Sequence, residues 1–195
     1  KLSGASGSIS FMCAYYEDAS NKSNVTASES ISDVANSNLI NQWIHVVGTR
    51  TTHDEDGTHN PSGVDSKYRL YINGNLESTA NTSLSEPLAE ADTAIDDNTL
   101  DFRTGVTAIG SYDFTGYIAD VAYYKGEILA EDVSRIYNGN RGAFNHMNWE
   151  KSSALTLWWK MGDGTENGEG STIYDMSSNS YNGTLNNDAA IVRIK

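Results

Sequence analysis

The feature that most constrains the fold is a short extended segment centred on an Asn-Gly pair. Residues 67–72 read Lys-Tyr-Arg-Leu-Tyr-Ile, Asn73 and Gly74 follow at once, and residues 75–78 resume an extended pattern. Asn and Gly both accept the positive φ angles of a type I′ turn, whose twist matches that of paired antiparallel strands. The segment is therefore predicted to be a two-residue β-hairpin.

Further runs of strand length are spread along the chain. They lie at residues 8–16, 42–50, 106–110, 116–124 and 154–160, with a weaker extended stretch at 25–27. Both faces of residues 42–50 are largely apolar, which predicts a central strand. Residues 129–137 instead have a helical period, and Asn138-Gly139 supplies a stop signal. The chain is predicted to be all-β: a two-sheet antiparallel jelly-roll sandwich with one short helix.

The net charge of the chain limits the classes of partner that it is expected to bind. The 195 residues include 13 Lys and Arg but 26 Asp and Glu, which gives a formal net charge of −13. Such a surface repels nucleic-acid phosphates and anionic membranes, and no apolar run approaches the roughly 20 residues of a membrane-spanning helix. We expect neither a nucleic-acid partner nor membrane insertion. The single cysteine, Cys13, excludes a scaffold held by internal disulfides.

Three pieces of sequence, at residues 42–49, 68–74 and 109–137, resemble a known family in this order. They read Gln-Trp-Ile-His-Val-Val-Gly-Thr, then Tyr-Arg-Leu-Tyr-Ile-Asn-Gly, then Phe-Thr-Gly-Tyr-Ile-Ala-Asp-Val-Ala-Tyr-Tyr ahead of the helix. Together they are similar to the laminin-G-like jelly roll of the concanavalin A-like lectin/glucanase superfamily, over about residues 8–140. The resemblance implies the same jelly-roll fold.

The C-terminal segment carries a second resemblance. Its Leu-Trp-Trp-Lys-Met-Gly-Asp-Gly run at 157–164, with the later Gly-Thr-Leu at 183–185, resembles a segment that often follows such domains in phage virion proteins. The predicted division is a jelly roll over residues 1–145 and a Trp/Gly/Asp-rich segment over 146–195 that packs on or completes the sandwich. Domains of this type usually begin with strands ahead of residues 8–16. We expect that those strands are missing here or that the segment after residue 154 supplies them, and unpaired edge strands would invite partner chains.

The sequence departs from the catalytic members of that superfamily. Its glucanases carry Glu-x-Asp-x-x-Glu on one strand, a spacing that holds two carboxyls at the separation that glycoside cleavage requires. The sequence lacks this pattern, and it also lacks Gly-x-Ser-x-Gly, His-Glu-x-x-His and a phosphate-binding glycine loop. The chain is therefore predicted not to be an enzyme.

Two sets of aspartates are candidates for binding calcium, which prefers six to eight oxygen ligands. In the long polar loop after the 42–50 run, Asp54 and Asp56 resemble half of a calcium loop and Asp65 is placed to close it. Asp163 and Asp175 in the C-terminal segment form the second set. A structural role stays open for both sets, because acidic loops are often simply solvated and Asp stabilises turns by bonding its own backbone.

Exposed aromatic rings are the candidates for carbohydrate binding. Trp158 and Trp159 are adjacent in a predicted strand and point to opposite faces, so one is expected in the core and the other at the surface. An exposed ring there is a sugar-stacking platform or an interface anchor. Trp158, Tyr71 and Tyr124 are the predicted carbohydrate-binding residues, and Tyr181 is among the other tyrosines that fit this role. Half-buried aromatic side chains are also common in β-strands that bind no ligand.

Two functions of different classes follow. The first is a non-enzymatic structural or adhesion subunit of a virion or extracellular filament, which assembles with copies of itself or with other subunits at the virion or cell surface. The second is a calcium-dependent carbohydrate-binding module with surface glycans as partners. The fold alone does not choose between them. The resemblance of the C-terminal segment and the expected unpaired strands favour the first.

Overall fold

The structure, a computed structural model, describes residues 8–16, 22–30, 42–51, 66–82, 104, 116–126, 128–139, 144–161, 168–186 and 189–190. For some strand residues, including all of those before residue 42, the backbone alone is described. The chain divides into two compact units, Lys1–Thr115 and Gly116–Lys195. Each unit is described by itself.

The first unit contains five described strands. They are β1 (Ser8–Tyr16), β2 (Lys22–Ser30), β3 (Val46–Thr51), β4 (Ser66–Ile72) and β5 (Asn75–Thr82). β1 pairs with β2, and β3, β4 and β5 form one sheet in that order, all antiparallel. The backbone of β2 lies close to β4 and β5. Within the described strands, β4 and not the predicted β3 is the central strand of its sheet.

The hairpin that joins β4 to β5 confirms the predicted turn. Asn73 has a φ of 51° and Gly74 a φ of 82°, the positive pair that a type I′ turn requires. Asn73 also holds the chain that leads into β3, because its Oδ1 accepts the His45 N–H at 3.0 Å and its own N–H donates to the His45 carbonyl at 2.8 Å. The turn therefore fixes the β4–β5 register and one end of β3 together.

The core of the first unit lies along β4. Tyr68, Leu70, Tyr71 and Ile72 are all at most 3% exposed. Successive residues of a strand point to opposite faces, so the burial of three in a row shows that both faces of β4 are covered. A strand covered on both faces is typically an apolar run, and β4 fits this over residues 70–72, whereas its earlier part contains Lys67 and Arg69.

The second unit is built from shorter elements. They are β6 (Val121–Tyr124), α1 (Ala130–Asn138), a 3₁₀ turn (Ser152–Ala154), β7 (Leu155–Trp159), β8 (Gly168–Glu169), β9 (Thr172–Ile173) and β10 (Gly183–Thr184). β6 pairs with β7, and β9 lies between β8 and β10, again antiparallel. Leu157, Trp159 and Ile173 form the buried centre of this unit.

The strand predicted at residues 116–124 is shorter than expected. Only its last four residues are a strand, because Asp120 has a φ of 57°. This left-handed conformation is incompatible with an extended strand, and Asp is one of the few residues that adopt it at low cost. The strand predicted at 106–110 lies outside the described residues.

The predicted helix is confirmed as α1. Val133 and Ile136 are its buried apolar residues, and it ends at Asn138 as the Asn-Gly signal predicted. Asp132 accepts the backbone N–H of Leu129 at 2.9 Å and so caps the first turn. Leu129, the first residue of the predicted helix, precedes α1 and is 41% exposed. No helix in the described part of the chain has the length and apolar character to cross a membrane.

The described elements are thus mostly antiparallel strands with one α-helix. The pairing of β6 with β7 joins residues on either side of the boundary predicted at 145/146. That division remains a prediction. The two compact units meet between Thr115 and Gly116.

Candidate functional site

Trp158 and Tyr124, two of the predicted carbohydrate-binding residues, lie in an aromatic and polar cluster of the second unit. This interior cluster consists of Asp120, Tyr124, His146, Trp149 and Trp158. β6 and β7 bring Tyr124 and Trp158 to the same region, since Ala122 stands opposite Trp158 in the ladder. The segment after α1 contributes His146, whose ring meets that of Trp158 edge-on at 5.2 Å between centroids.

Hydrogen bonds link members of the interior cluster. The Trp149 indole N–H donates to the Tyr124 hydroxyl at 3.2 Å, and that hydroxyl forms a second hydrogen bond, at 2.5 Å, with His146 Nδ1. An indole N–H only donates, so the Tyr124 oxygen is the acceptor in the bond with Trp149. On the other side of the imidazole ring, His146 Nε2 lies 3.5 Å from Asp120 Oδ1.

Asp120 closes this chain of contacts. Its Oδ1 also accepts the Trp158 indole N–H at 2.8 Å. Burial raises the pKa of Tyr124, a hydrogen bond from Trp149 lowers it, and the charge of Asp120 raises it, with a net increase. The Tyr124 hydroxyl therefore stays protonated at neutral pH. His146 is 3% exposed, so it lacks the access to a dissolved substrate that a general base requires. The interior cluster stabilises the fold.

The expectation that one of Trp158 and Trp159 is exposed is wrong. They are 7% and 9% exposed, although they do point to opposite faces of β7. His146 covers the Trp158 side, and Gly183 of β10 approaches the Trp159 side so closely that a Cβ there would lie 2.9 Å from the indole. With both faces of β7 covered, Trp158 does not offer the open ring that sugar stacking needs.

The two predicted tyrosine sites are also engaged inside the protein. Tyr71, on β4, is 3% exposed. Burial raises its pKa, while Arg69 and a hydrogen bond with Thr49 lower it, and the net direction is upward. Tyr124 is half-buried, and its hydroxyl is bonded to His146 and Trp149. In this structure neither ring is presented as a flat exposed platform.

The predicted calcium residues Asp54, Asp56 and Asp65 lie outside the described residues, as does Asp163. The calcium hypothesis for that loop stays a prediction. Among the residues whose placement is described, no three His, Cys, Asp or Glu side chains gather in a way that holds a metal ion.

Asp175, the remaining calcium candidate, organises a loop that we call the Asp175 loop (residues 175–182). Its Oδ1 accepts the backbone N–H groups of Trp158 and Ser177, each at 2.9 Å. Its Oδ2 accepts the Tyr181 N–H at 2.8 Å and the Ser177 hydroxyl at 2.7 Å. Burial raises the pKa of Asp175, but these bonds outweigh it and the net pKa is lowered. Turn stabilisation, the role left open by the sequence, is therefore its observed role.

The Asp175 loop lies along the edge of β7. A bulge leaves Thr156 without a partner residue in β6, and the Asn179 side-chain amide donates to the Thr156 carbonyl at 2.9 Å. Two residues further along β7, the Met176 N–H donates to the Trp158 carbonyl at 2.8 Å. The loop thus supplies hydrogen bonds that a neighbouring strand would otherwise make.

Large apolar side chains are exposed at one end of the β3–β4–β5 sheet. Trp43, Val46 and Leu76 are 52%, 44% and 51% exposed. Trp43 lies three residues before β3, Val46 is the first residue of β3, and Leu76 follows the Asn73-Gly74 turn. Val46 lies opposite Ile72 and Leu76 opposite Tyr71, so their side chains are on opposite faces of the sheet. We call these three residues the apolar sheet end. The sequence pattern missed it, because alternation in a strand does not tell which face a distant segment will cover.

Comparison with known proteins places the chain in a family. Residues 3–134 match the family Laminin_G_3, described as the concanavalin A-like lectin/glucanases superfamily, and this range is more than half of the chain. A search of curated proteins and of solved structures gave no match. The match includes the hairpin, β6 and part of α1, the elements on which the resemblance rested. The chain belongs to the concanavalin A-like lectin/glucanase superfamily.

Proposed function

We propose that the chain is a non-enzymatic structural or adhesion subunit of a virion or extracellular filament, built on a two-sheet jelly-roll sandwich. The observation that carries this proposal is the exposure of three large apolar side chains at the apolar sheet end, one of them an aromatic ring. Trp43 is the kind of aromatic anchor on which protein interfaces depend. The partners are further copies of the chain or other subunits at the virion or cell surface.

Three described aspartates support a role without catalysis. Asp120 accepts an indole N–H, Asp132 caps a helix, and Asp175 binds the backbone of its loop. Each acts within the fold, whereas a glycosidase directs two carboxyls at one bond of the substrate. The absence of Glu-x-Asp-x-x-Glu from the sequence supports the same conclusion.

Light scattering on the intact chain tests the proposal, in calcium and then in a chelator. We expect a defined oligomer in both conditions and its dissociation in the variant Leu76→Glu, because a charge at the apolar sheet end opposes burial. Thr79→Glu is the matched control, since Thr79 is an exposed residue of the same strand. This variant should keep the mass of the wild type.

A monomer in both conditions would contradict the assembly role. A monomer that loses thermal stability on chelation would instead favour a calcium-dependent carbohydrate-binding module. In that case Asp54, Asp56 and Asp65 are the first residues to replace, with calcium-dependent unfolding as the readout.

A further inference from the structure

The outer edge of β3 carries backbone groups that point away from the rest of its sheet. Among the residues that the structure describes, β3 pairs with β4 and with no other strand. His45, directly before β3, bonds to Asn73 on the β4 side through both its N–H and its carbonyl. Because these groups alternate in direction along an antiparallel strand, the N–H and carbonyl groups of Val46 and Gly48 point to the outer side.

Both of these residues are exposed. Val46 is 44% exposed, and Gly48 is exposed as well, while β2 lies close to the other two strands of the sheet, β4 and β5. A row of N–H and carbonyl groups at an exposed edge is a template for pairing with another strand. Glycine inside a strand often marks a position that another backbone approaches closely. The edge at residues 46–48 therefore has the properties of a site for strand addition.

The charge distribution indicates which strand fits this edge. Residues 1–115 contain 16 Asp and Glu but 6 Lys and Arg, so two copies of this unit repel each other over most of their surface. Residues 34–53, which include β3, contain neither Asp nor Glu. Two copies that meet at β3 therefore avoid placing acidic side chains opposite each other. A two-fold contact also uses the same open positions on both partners.

We propose that β3 is a contact between two copies of this chain, in which the two β3 strands pair antiparallel across a two-fold axis. The proposal rests on the assembly role above and names its partner and its contact. With Val47 facing Val47 of the second copy, Val46 lies beside Gly48 of that copy, where the glycine leaves room for the valine side chain. Val46 and Gly48 then exchange hydrogen bonds, and Arg50 does not face its counterpart. The two β3–β4–β5 sheets become one continuous sheet.

Amide hydrogen exchange on the intact chain tests this contact. We expect the Val46 and Gly48 amides to exchange at least about tenfold more slowly in the oligomer than after dilution to monomer. The Val47 and Thr49 amides are the internal control, because they point to β4 in the same ladder. These two amides should stay protected in both states.

Light scattering on two variants gives an independent measurement. Gly48→Lys should lower the oligomer mass, because a lysine at a strand edge opposes pairing with another strand. Thr79→Lys is the matched control, since Thr79 is an exposed residue of β5 in the same sheet, and it should keep the mass of the wild type. An unchanged mass for Gly48→Lys would overturn the proposal.

The exchange measurement separates this contact from the assembly role. Fast exchange of the Val46 and Gly48 amides in an oligomer would overturn the contact and leave the assembly role standing. Protection of the same amides in a monomer would also overturn it, because the chain would then cover its own edge. A monomer at every concentration would contradict both the contact and the assembly role.

Discussion

Single residues of the second unit show how polar side chains are used inside this fold. Asp175 accepts N–H groups from three different residues, and Asp120 accepts the indole N–H of Trp158. A carboxylate that receives several hydrogen bonds contributes more than a neutral acceptor, and its loss leaves several donors without a partner at once. Replacement of such a residue should therefore change the free energy of unfolding.

Asp175→Asn is expected to lower the free energy of unfolding by about 1–2 kcal/mol, because the new NH₂ group faces N–H donors and the remaining solvent exposure limits the loss. Urea unfolding at neutral pH measures this change. Glu169→Gln is the control, since it removes an exposed carboxylate of the same unit and should change stability by less than about 0.5 kcal/mol. Equal effects of the two variants would argue against the proposed role of Asp175.

The lowered pKa of Asp175 also predicts an acid dependence. Its ordinary pKa is 3.8, so the folded chain binds this proton less tightly than the unfolded chain. The resulting stability is fully present above that value and is lost as the pH falls through the lower folded-state pKa. Between about pH 5 and about pH 2, the unfolding free energy of the wild type should fall more steeply than that of Asp175→Asn. Parallel curves would contradict the prediction.

At the scale of elements, the end of α1 requires a glycine at position 139. The reason is that another side chain lies very close to this residue, and not that its backbone angle is unusual. Gly139 has a φ of −71°, which any residue adopts. A Cβ at this position would lie 2.6 Å from Phe144 Cδ2 and 3.0 Å from the Arg135 carbonyl. Phe144 in turn meets His146 edge-on, with 5.0 Å between the ring centroids. The glycine therefore lets the chain after α1 fold back over the helix end and position His146.

Gly139→Ala should destabilise the protein by about 1–3 kcal/mol, because Phe144 must move out of a packed position. Thermal or urea unfolding measures the loss. The neighbouring variant Asn138→Ala introduces the same residue at an exposed position of α1 and should lie within about 0.5 kcal/mol of the wild type. If Gly139→Ala left the stability equally unchanged, the close contact with Phe144 would not be what requires glycine at this position.

For the whole molecule, the family match and the compact units divide the chain differently. The match covers residues 3–134, whereas the units meet between residues 115 and 116. β6 lies inside the matched range but pairs with β7, which lies beyond it. A cut at the boundary predicted from sequence, after residue 145, would separate these paired strands.

The fragment 1–145 is therefore expected to lose amide protection at residues 121–124, because β6 loses β7. The fragment 116–195 keeps every described pairing of the second unit and should retain that protection. Hydrogen exchange on both fragments and on the intact chain measures the difference. Equal protection of β6 in both fragments would show that β7 is dispensable for it.

Local sequence patterns determined much of the fold. Asn73-Gly74 predicted the hairpin, residues 8–16 predicted β1 at its observed bounds, and Asn138-Gly139 predicted the end of α1. These features depend on backbone preferences and on short-range periodicity, which a single sequence carries. The resemblance carried by three ordered motifs correctly indicated the superfamily.

Only the tertiary structure decided which side chains are covered. The sequence placed Trp158 and Trp159 on opposite faces, but segments far along the chain, at His146 and Gly183, bury both of them. The sequence indicated Asp175 as a turn residue. It did not show that the Asp175 loop would form hydrogen bonds with the backbone of β7. Whether a side chain is buried depends on which distant segments of the chain pack against it. The hydrophobic period along one strand does not contain that information.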